Sequence, residues 1–426
     1  MSNHVLSTDT QAILLLCASF GQNRQTEPQP LTLSEYNLFA DWLLENQMRP
    51  ANLLEATAKE QLQQITNKKL NPDRLLALLK RGAMLSLAVE KWTNQGLWVM
   101  GRSDRNYPKR LKQRLRHSAP AILYGVGNLE LLSLGGLAIV GSRDIDEDGL
   151  SYTQRVTQTS AEQAIQVISG GARGVDQAAM LGVLEAGGTS VGVLADSLTK
   201  AGVNSKYRSS IKEGRLTLVS SYDPDAGFNT GNAMGRNKYI YALADYALVV
   251  NSTVNQGGTW AGAVEALAKI KDIPVFVRSR MLLALPEASD SEGVSHPHVS
   301  DGNLELQRKG AKPFPSEPWN SSLKDVLVMS ASNPELVSPE PVLEIAPQPV
   351  QLCSKHSKDI YEVVLPVILN HLQRPIDIKS LAESLNVRQS QMQDWLNLAV
   401  MEGKVRKTNK PVAYVVSQEV TQLSLL

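Results

Sequence analysis

The sequence predicts an α/β fold built on a doubly wound, mostly parallel sheet, with a helical region before it and a small helical unit after it. Three observations carry that prediction. From about residue 96, short runs apolar on both faces ("GLAIVGS", "AIQVISG", "TSVGVLAD", "RLTLVSS", "DYALVVNS", "IPVFVRS") alternate with amphipathic stretches such as "GVDQAAMLGVLEAG". Buried parallel strands covered by helices on both sides read this way. Small-residue motifs fall at the ends of these runs, where such folds bind ligands. The length of 426 residues suits about two to four domains.

Composition narrows the function. Charged residues make up 20% and hydrophobic ones 42%, as in ordinary globular chains. A formal charge of +1 excludes a uniformly basic polymer binder, so nucleic-acid contact must come from local clusters. Cys17 and Cys353 are too few and too far apart for a disulfide framework or a zinc site, which points to a reducing cytoplasm. "AILLLCASF" (12–20) is about half a membrane span and is expected to form a core helix, not a membrane anchor.

Residues 1–95 read as a small helical, SAM-like domain. "TLSE" offers Thr32 and Glu35 as a capping box ahead of "YNLFADWLLENQ". "ANLLEATAKEQLQQI" and "PDRLLALLKRGAMLSLAVEKW" follow, each expected as a helix, the second with Pro72 in its first turn. Residues 96–280 form the sheet domain. Ten of the 21 prolines lie within 280–354, so 281–354 is expected to be an insertion and an extended linker. Residues 355–426 give three helical patterns and a basic hairpin, "KVRKTNKPVAYVV", which predicts a winged helix.

Four strand-end elements carry the candidate chemistry. "AIVGSR" places Gly141, Ser142 and Arg143 at a strand-to-helix turn, where backbone N–H groups, a hydroxyl and a guanidinium can meet an anion. "ISGGARGVD" surrounds Arg173 with Gly170, Gly171 and Gly174, with Asp176 opening the next helix. If these two strands are neighbours, Arg143 and Arg173 face one crevice. "GRNKYIYALAD" supplies Arg236, Asn237 and Lys238, and "NQGGTWAGAVEALAKI" supplies Gly257, Gly258 and Thr259 with Glu265 beyond. A plain surface turn or a solvated helix start fits each motif taken singly. The lysine of a P-loop and the G-x-G-x-x-G spacing are both lacking, which disfavours an ATPase or a dinucleotide enzyme.

Taken together, in this order and spacing, these motifs resemble the DNA-processing protein A family, also called Smf. The lead-in "GLWVMGRSDRNYPKRLKQRLRHSAPAILYGVGNLELL" resembles it too. The resemblance implies an extended Rossmann-like fold that binds single-stranded DNA at the strand ends without catalysis and without a cofactor or metal. Carried over by position, the DNA-binding residues are Ser142, Arg143, Gly170, Gly171, Arg173, Arg236, Asn237 and Lys238. Gly257, Gly258 and Thr259 are a further phosphate-binding loop. The family further implies a homodimer and a RecA-type recombinase as partner. The chain departs from the family pattern at Met180, where histidine is usual, at "VRSR" after the last strand, at Lys238 and at "GGTW".

Two other basic clusters are candidates. Gly101 to His117 holds seven Lys or Arg against one acid, and reads as a helix facing phosphate or simply a solvated face. In the C-terminal unit, Arg388, Lys404, Arg406 and Lys407 offer a second DNA contact. Two alternatives stay open: a nucleotide-binding enzyme or sensor using Glu265 as its acid or base, and a regulatory or antitoxin subunit working with a neighbour-encoded defence protein.

Overall fold

The computed structural model describes residues 6–21, 27–67, 69–278, 301–332 apart from 316, 318, 320 and 321, and 360–416 apart from 373, 386, 388, 402, 403, 410 and 411. The chain forms two compact units, Met1–Ser338 and Pro339–Leu426.

In the first unit, helices α1 (Thr8–Cys17), α2 (Leu33–Glu45), α3 (Ala58–Leu62), α4 (Pro72–Leu79) and α5 (Gly82–Asn94) precede the sheet. The expected capping box is present: Thr32 Oγ1 accepts from the Glu35 N–H, and the Thr32 N–H donates to Glu35 Oε2 at 2.8 Å. Ala12 to Leu16 of α1 are all buried, so "AILLLCASF" is a core helix as expected. Among the described residues no helix is long and apolar enough to cross a membrane. The expected single helix from Pro72 to Trp92 is instead two helices. Arg81 breaks it by turning inward, where its guanidinium donates to the carbonyls of Leu15 and Ala18 at the end of α1.

The nine-stranded sheet comprises β1 (Trp98–Gly101), β2 (Ile122–Gly127), β3 (Leu137–Val140), β4 (Val167–Ser169), β5 (Ser190–Leu194), β6 (Leu216–Ser220), β7 (Tyr246–Val249), β8 (Val275–Val277) and β9 (Lys312–Pro313). Its order is β1-β2-β6-β5-β4-β3-β7-β8-β9. The β1–β2 and β2–β6 pairings are antiparallel and the rest parallel. All six apolar runs form strands, and their alternate residues serve two cores. In β3, Leu137 and Ile139 enter one core while Ala138 and Val140 enter the other, which is why these runs lack a polar face.

Helices cover both faces. The intervening ones are α6 (Lys109–Leu115), α7 (Leu131–Leu134), α8 (Glu147–Glu162), α9 (Val175–Glu185), α10 (Leu198–Gly202), α11 (Ser205–Lys212), α12 (Thr230–Leu243) and α13 (Gly257–Lys269). The chain runs outward from β3 through β4 and β5 to β6, then returns along α12 to β7 on the other side of β3. The strand order therefore reverses between β3 and β7, and ligands of doubly wound sheets bind at the carboxyl ends beside such a reversal.

Two expected boundaries differ. The N-terminal helices do not stand apart, because α1 joins the main core and Thr10 Oγ1 accepts from the Gly101 N–H of β1 at 3.0 Å. Residues 301–332, within the segment expected as an insertion and linker, belong to the sheet unit and add α14 (Asp301–Arg308), β9 and α15 (Leu323–Ser332) to it. Local composition conceals this because the segment is fixed by contacts with distant residues. Buried Asn303 donates from Nδ2 to the carbonyls of Val250 and Arg278, each at 3.1 Å, and of Val249 at 3.3 Å. Its Oδ1 accepts from Ser252 Oγ at 2.9 Å. One side chain thus ties together the ends of β7 and β8.

The second unit contains α16 (Ile360–His371), α17 (Ile378–Ser384), α18 (Gln389–Met401) and the antiparallel hairpin β10 (Val405–Asn409) and β11 (Val412–Val416). Asp377 caps α17, accepting from the N–H groups of Lys379 and Ser380. Ile368, Leu372, Leu381, Met392, Leu396 and Tyr414 build its core.

Asn303→Leu preserves volume but removes the donor that the Val250 and Arg278 carbonyls share. The unfolding free energy is expected to fall by about 1–3 kcal/mol, measured from the denaturant midpoint.

Candidate functional site

The turns after β3 and β4 lie side by side because their strands are neighbours, and Arg143 and Arg173 line one cleft of about 290 Å³ at the carboxyl edge of the sheet. Gly170, Gly171, Asp196, Phe228 and Arg236 share that lining. A second, more open groove of about 650 Å³ continues from the same two arginines along α8 and α9, past Ile145, Leu150 and Leu181.

Arg236, from the middle of α12, is the most buried cation of the lining, only 5% exposed. A glycine is required opposite it, since a Cβ on residue 170 would stand 1.5 Å from Arg236 Nη1. Asp176, 7% exposed, lies beneath, with its Oδ2 3.7 Å from that nitrogen. The ion pair is too long for a hydrogen bond, and Arg236 Nε and Nη1 have no hydrogen-bond partner among the described residues. Burial pushes the Asp176 carboxyl above its ordinary value, against the pull of Arg236 and of the N–H groups of Gly141, Gly170 and Ala172. Burial likewise pushes the Arg236 guanidinium down, opposed by Asp176 and reinforced by Arg143. The cleft therefore holds an under-compensated buried cation, whose charge an incoming anion offsets.

Arg143 is exposed at the mouth, its guanidinium 5.3 Å from the centre of the Phe228 ring. Arg173 reaches out to Asp144 at 3.0 Å, both ends largely in solvent, so the pair contributes little and opens readily. Gly174, at φ +90°, lets the β4 turn abut the β3 turn, where a Cβ would meet the Ser142 carbonyl oxygen at 2.3 Å. Ser142 Oγ accepts from the Asp144 N–H at 3.2 Å, and its own N–H donates to Asn251 Oδ1 at 2.7 Å.

Other predicted residues serve the frame. Asn237 Nδ2 donates to the Gly258 carbonyl at 2.8 Å, and Thr259 Oγ1 donates to the Gly141 carbonyl at 2.7 Å. Both polar groups thus tie α12, α13 and the β3 turn together. Gly257 and Gly258 open α13, with Gly257 at φ +73°. Lys238 is not in the cleft lining; its ammonium sits 5.4 Å from the ring centre of Tyr239. Glu265 pairs with Lys269 at 3.0 Å on α13 and does not line the cleft either. Met180 is fully buried, its thioether against Gly192 and Gly171, so that position is packing. In the second unit, Lys404, Arg406 and Lys407 are exposed, with Lys407 over Tyr414 at 5.8 Å; Arg388 lies outside the described residues.

The basic run of 101–117 is in part the solvated face expected, with Arg105, Lys109, Lys112 and Arg116 exposed, but three of its arginines are engaged. Arg114 donates to the carbonyls of Ala242 and Ala244 at the end of α12, Arg110 pairs with Asp245, and Arg102 donates to Asn37 Oδ1 at 2.8 Å. Sequence reasoning missed Phe228. Its signal was weak, a single aromatic in the polar stretch "DPDAGFNTGN".

A Rossmann-like sheet carrying a cationic cleft beside its point of strand reversal defines a doubly wound protein equipped to bind an anion. The chain belongs to the DNA recombination-mediator protein A family, the DprA/Smf proteins, whose pattern matches residues 98–318. It is 30% identical over 145 residues to the DNA processing protein DprA of Streptococcus pneumoniae, covering 33% of this chain and 50% of that protein. It is 28% identical over 181 residues to the protein Smf of Escherichia coli, covering 42% and 46%. The chain thus spans about half the length of the curated relatives it matches. The X-ray structure of DNA processing protein A from Streptococcus pneumoniae shares the fold, with a TM-score of 0.55 at 22% identity over 76% of this chain and 98% of that one.

Asp176→Asn alone removes the counter-charge of a buried guanidinium and is expected to destabilise the protein by about 3–5 kcal/mol. The double variant Asp176→Asn, Arg236→Met should recover most of that loss in the same denaturant titration. Arg114→Ala should lower the melting temperature through the carbonyls it leaves without a donor.

Proposed function

We propose that the cleft holds single-stranded DNA by its backbone and performs no chemistry on it. The observation that carries this reading is the convergence of exposed Arg143 and Arg173 with the under-compensated charge of buried Arg236 in one cleft at the carboxyl edge of the sheet. Fixed cationic donors in a preformed cleft suit phosphate oxygens, which carry no sequence information. Glu265, the acid on which an enzymatic reading rested, is engaged by Lys269 outside the cleft, which favours holding over catalysis. Family membership supports the same reading. In the second unit, three helices and a hairpin with exposed Arg406 and Lys407 support a winged helix making a second DNA contact.

The test is fluorescence anisotropy of a labelled single strand, and of the same sequence as duplex, across a salt series. Single-strand affinity is expected to fall linearly with salt on logarithmic axes. Arg143→Ala should weaken it roughly ten-fold and make the salt slope shallower by about one. Arg114→Ala should leave that slope unchanged. No binding at low salt, or an Arg143→Ala variant that binds like the parent, would refute the reading.

A further inference from the structure

Four cations of the basic run 101–117 have no part in the fold or in the cleft. Lys109, Lys112 and Arg116 lie along α6 and its end at i, i+3 and i+7, on the side away from buried Leu111 and Leu115, and Arg105 is exposed in the turn ahead of them. None of the four has an ion-pair partner among the described residues. The one acid of the run, Asp104, is turned inward, its carboxylate accepting from Ser7 Oγ at 2.5 Å, Thr10 Oγ1 at 2.6 Å and the Gly101 N–H at 2.9 Å. The outer row works against the helix that carries it. Lys109 stands in the first turn, where the helix dipole disfavours a cation, and no side chain caps that end. Like charges one turn apart repel. Burial and the charge of Arg102 push the Lys112 ammonium below its ordinary value, and Asp104 offsets only part of this.

A helix of seven residues does not persist on its own propensity. Arg110 and Arg114 hold this one from beneath, through Asp245 and the end of α12, so the outer row is kept in place despite its repulsion. Its position relates it to the cleft. Pro108, where α6 begins, lines a small apolar cavity with Tyr239 of α12 and with Ser220 and Ser221 at the carboxyl end of β6. The row therefore starts from the sheet edge that carries the cleft and runs back toward Asp245, at the amino end of β7. We propose that Lys109, Lys112 and Arg116 form a second nucleic-acid contact, outside the cleft, for the phosphodiester backbone of DNA that extends beyond it. The proposal rests on the single-strand reading above and goes beyond its site. Charges on flexible stems meet phosphates without reading bases. The row repels itself until a polyanion lies along it, so the affinity it adds depends on how far the nucleic acid extends.

The experiment measures anisotropy across a salt series for three labelled ligands. They are a single strand of about six nucleotides, a single strand of about thirty, and the short strand continued by a duplex. The proteins are the full chain, its Lys109→Gln, Lys112→Gln, Arg116→Gln triple variant, and Arg143→Ala. The triple variant should melt no lower than the parent, since it removes repulsion and breaks no internal bond. It should bind the short strand as the parent does. On the long strand it should lose roughly ten-fold in affinity, with a salt slope shallower by about two, the change that three lost single-strand phosphate contacts produce. Arg143→Ala should weaken short and long strands alike. A loss seen with the duplex-flanked ligand and not with the long strand places duplex backbone on the row. Unchanged slopes on both extended ligands, or an equal loss on the short strand, overturn the second contact and leave the cleft reading standing. Binding of none of the ligands by the parent overturns both.

Discussion

The guanidinium of Arg236, buried against Gly170 above Asp176, is the constraint around which this molecule is arranged. A charge removed from water needs compensation, and here the compensation is incomplete: one carboxylate at ion-pair distance and no hydrogen bond to two of its nitrogens. Such an arrangement persists only where the surrounding structure enforces it. The β4 turn must be glycine at 170, and the ends of β3 and β4 must lie side by side. Burying an under-satisfied cation lowers the stability of the empty protein and raises the value of an anion brought to it.

The enforcement comes from short polar struts. Asn251 fixes the Ser142 amide, Thr259 the Gly141 carbonyl, and Asn237 the opening of α13, while Asn303 joins the ends of β7 and β8. These bonds make the carboxyl edge of the sheet a rigid rim on which arginines are mounted. Several residue types that invite a ligand in sequence are therefore occupied before any ligand arrives. Preorganisation of this kind reduces the ordering that binding must impose.

Charge is divided in the same way. With a net charge of +1 the protein has no general attraction for polyanions, and its most basic run, 101–117, gives three of its seven cations, Arg102, Arg110 and Arg114, to internal bonds. Arg114 serves the carbonyl end of α12, where a cation also meets the favourable end of the helix dipole. Positive charge facing solvent in the cleft is limited to Arg143 and Arg173, beside the buried Arg236.

The sequence by itself determined the class of fold and the strand-end turns that line the cleft. Six apolar runs became strands because residues buried on both faces need no polar alternation, and the glycine–arginine turns fell at strand ends because only there must the backbone turn tightly. It also determined local features: the Thr32 capping box, the core helix around Leu14, and the helices and hairpin of the C-terminal unit. Tertiary structure alone decided what each polar group does. Whether Asn237 and Thr259 face a ligand or a carbonyl, whether Arg114 meets solvent or a helix end, and whether residues 301–332 form a linker or the ninth strand's surroundings depend on partners far along the chain. Asp223 is the clearest case, since its carboxylate is held by Ser19 and Gly21, about two hundred positions away. Periodicity reports the face a residue shows to the nearest core, whereas a hydrogen bond depends on two groups that sequence order does not bring together.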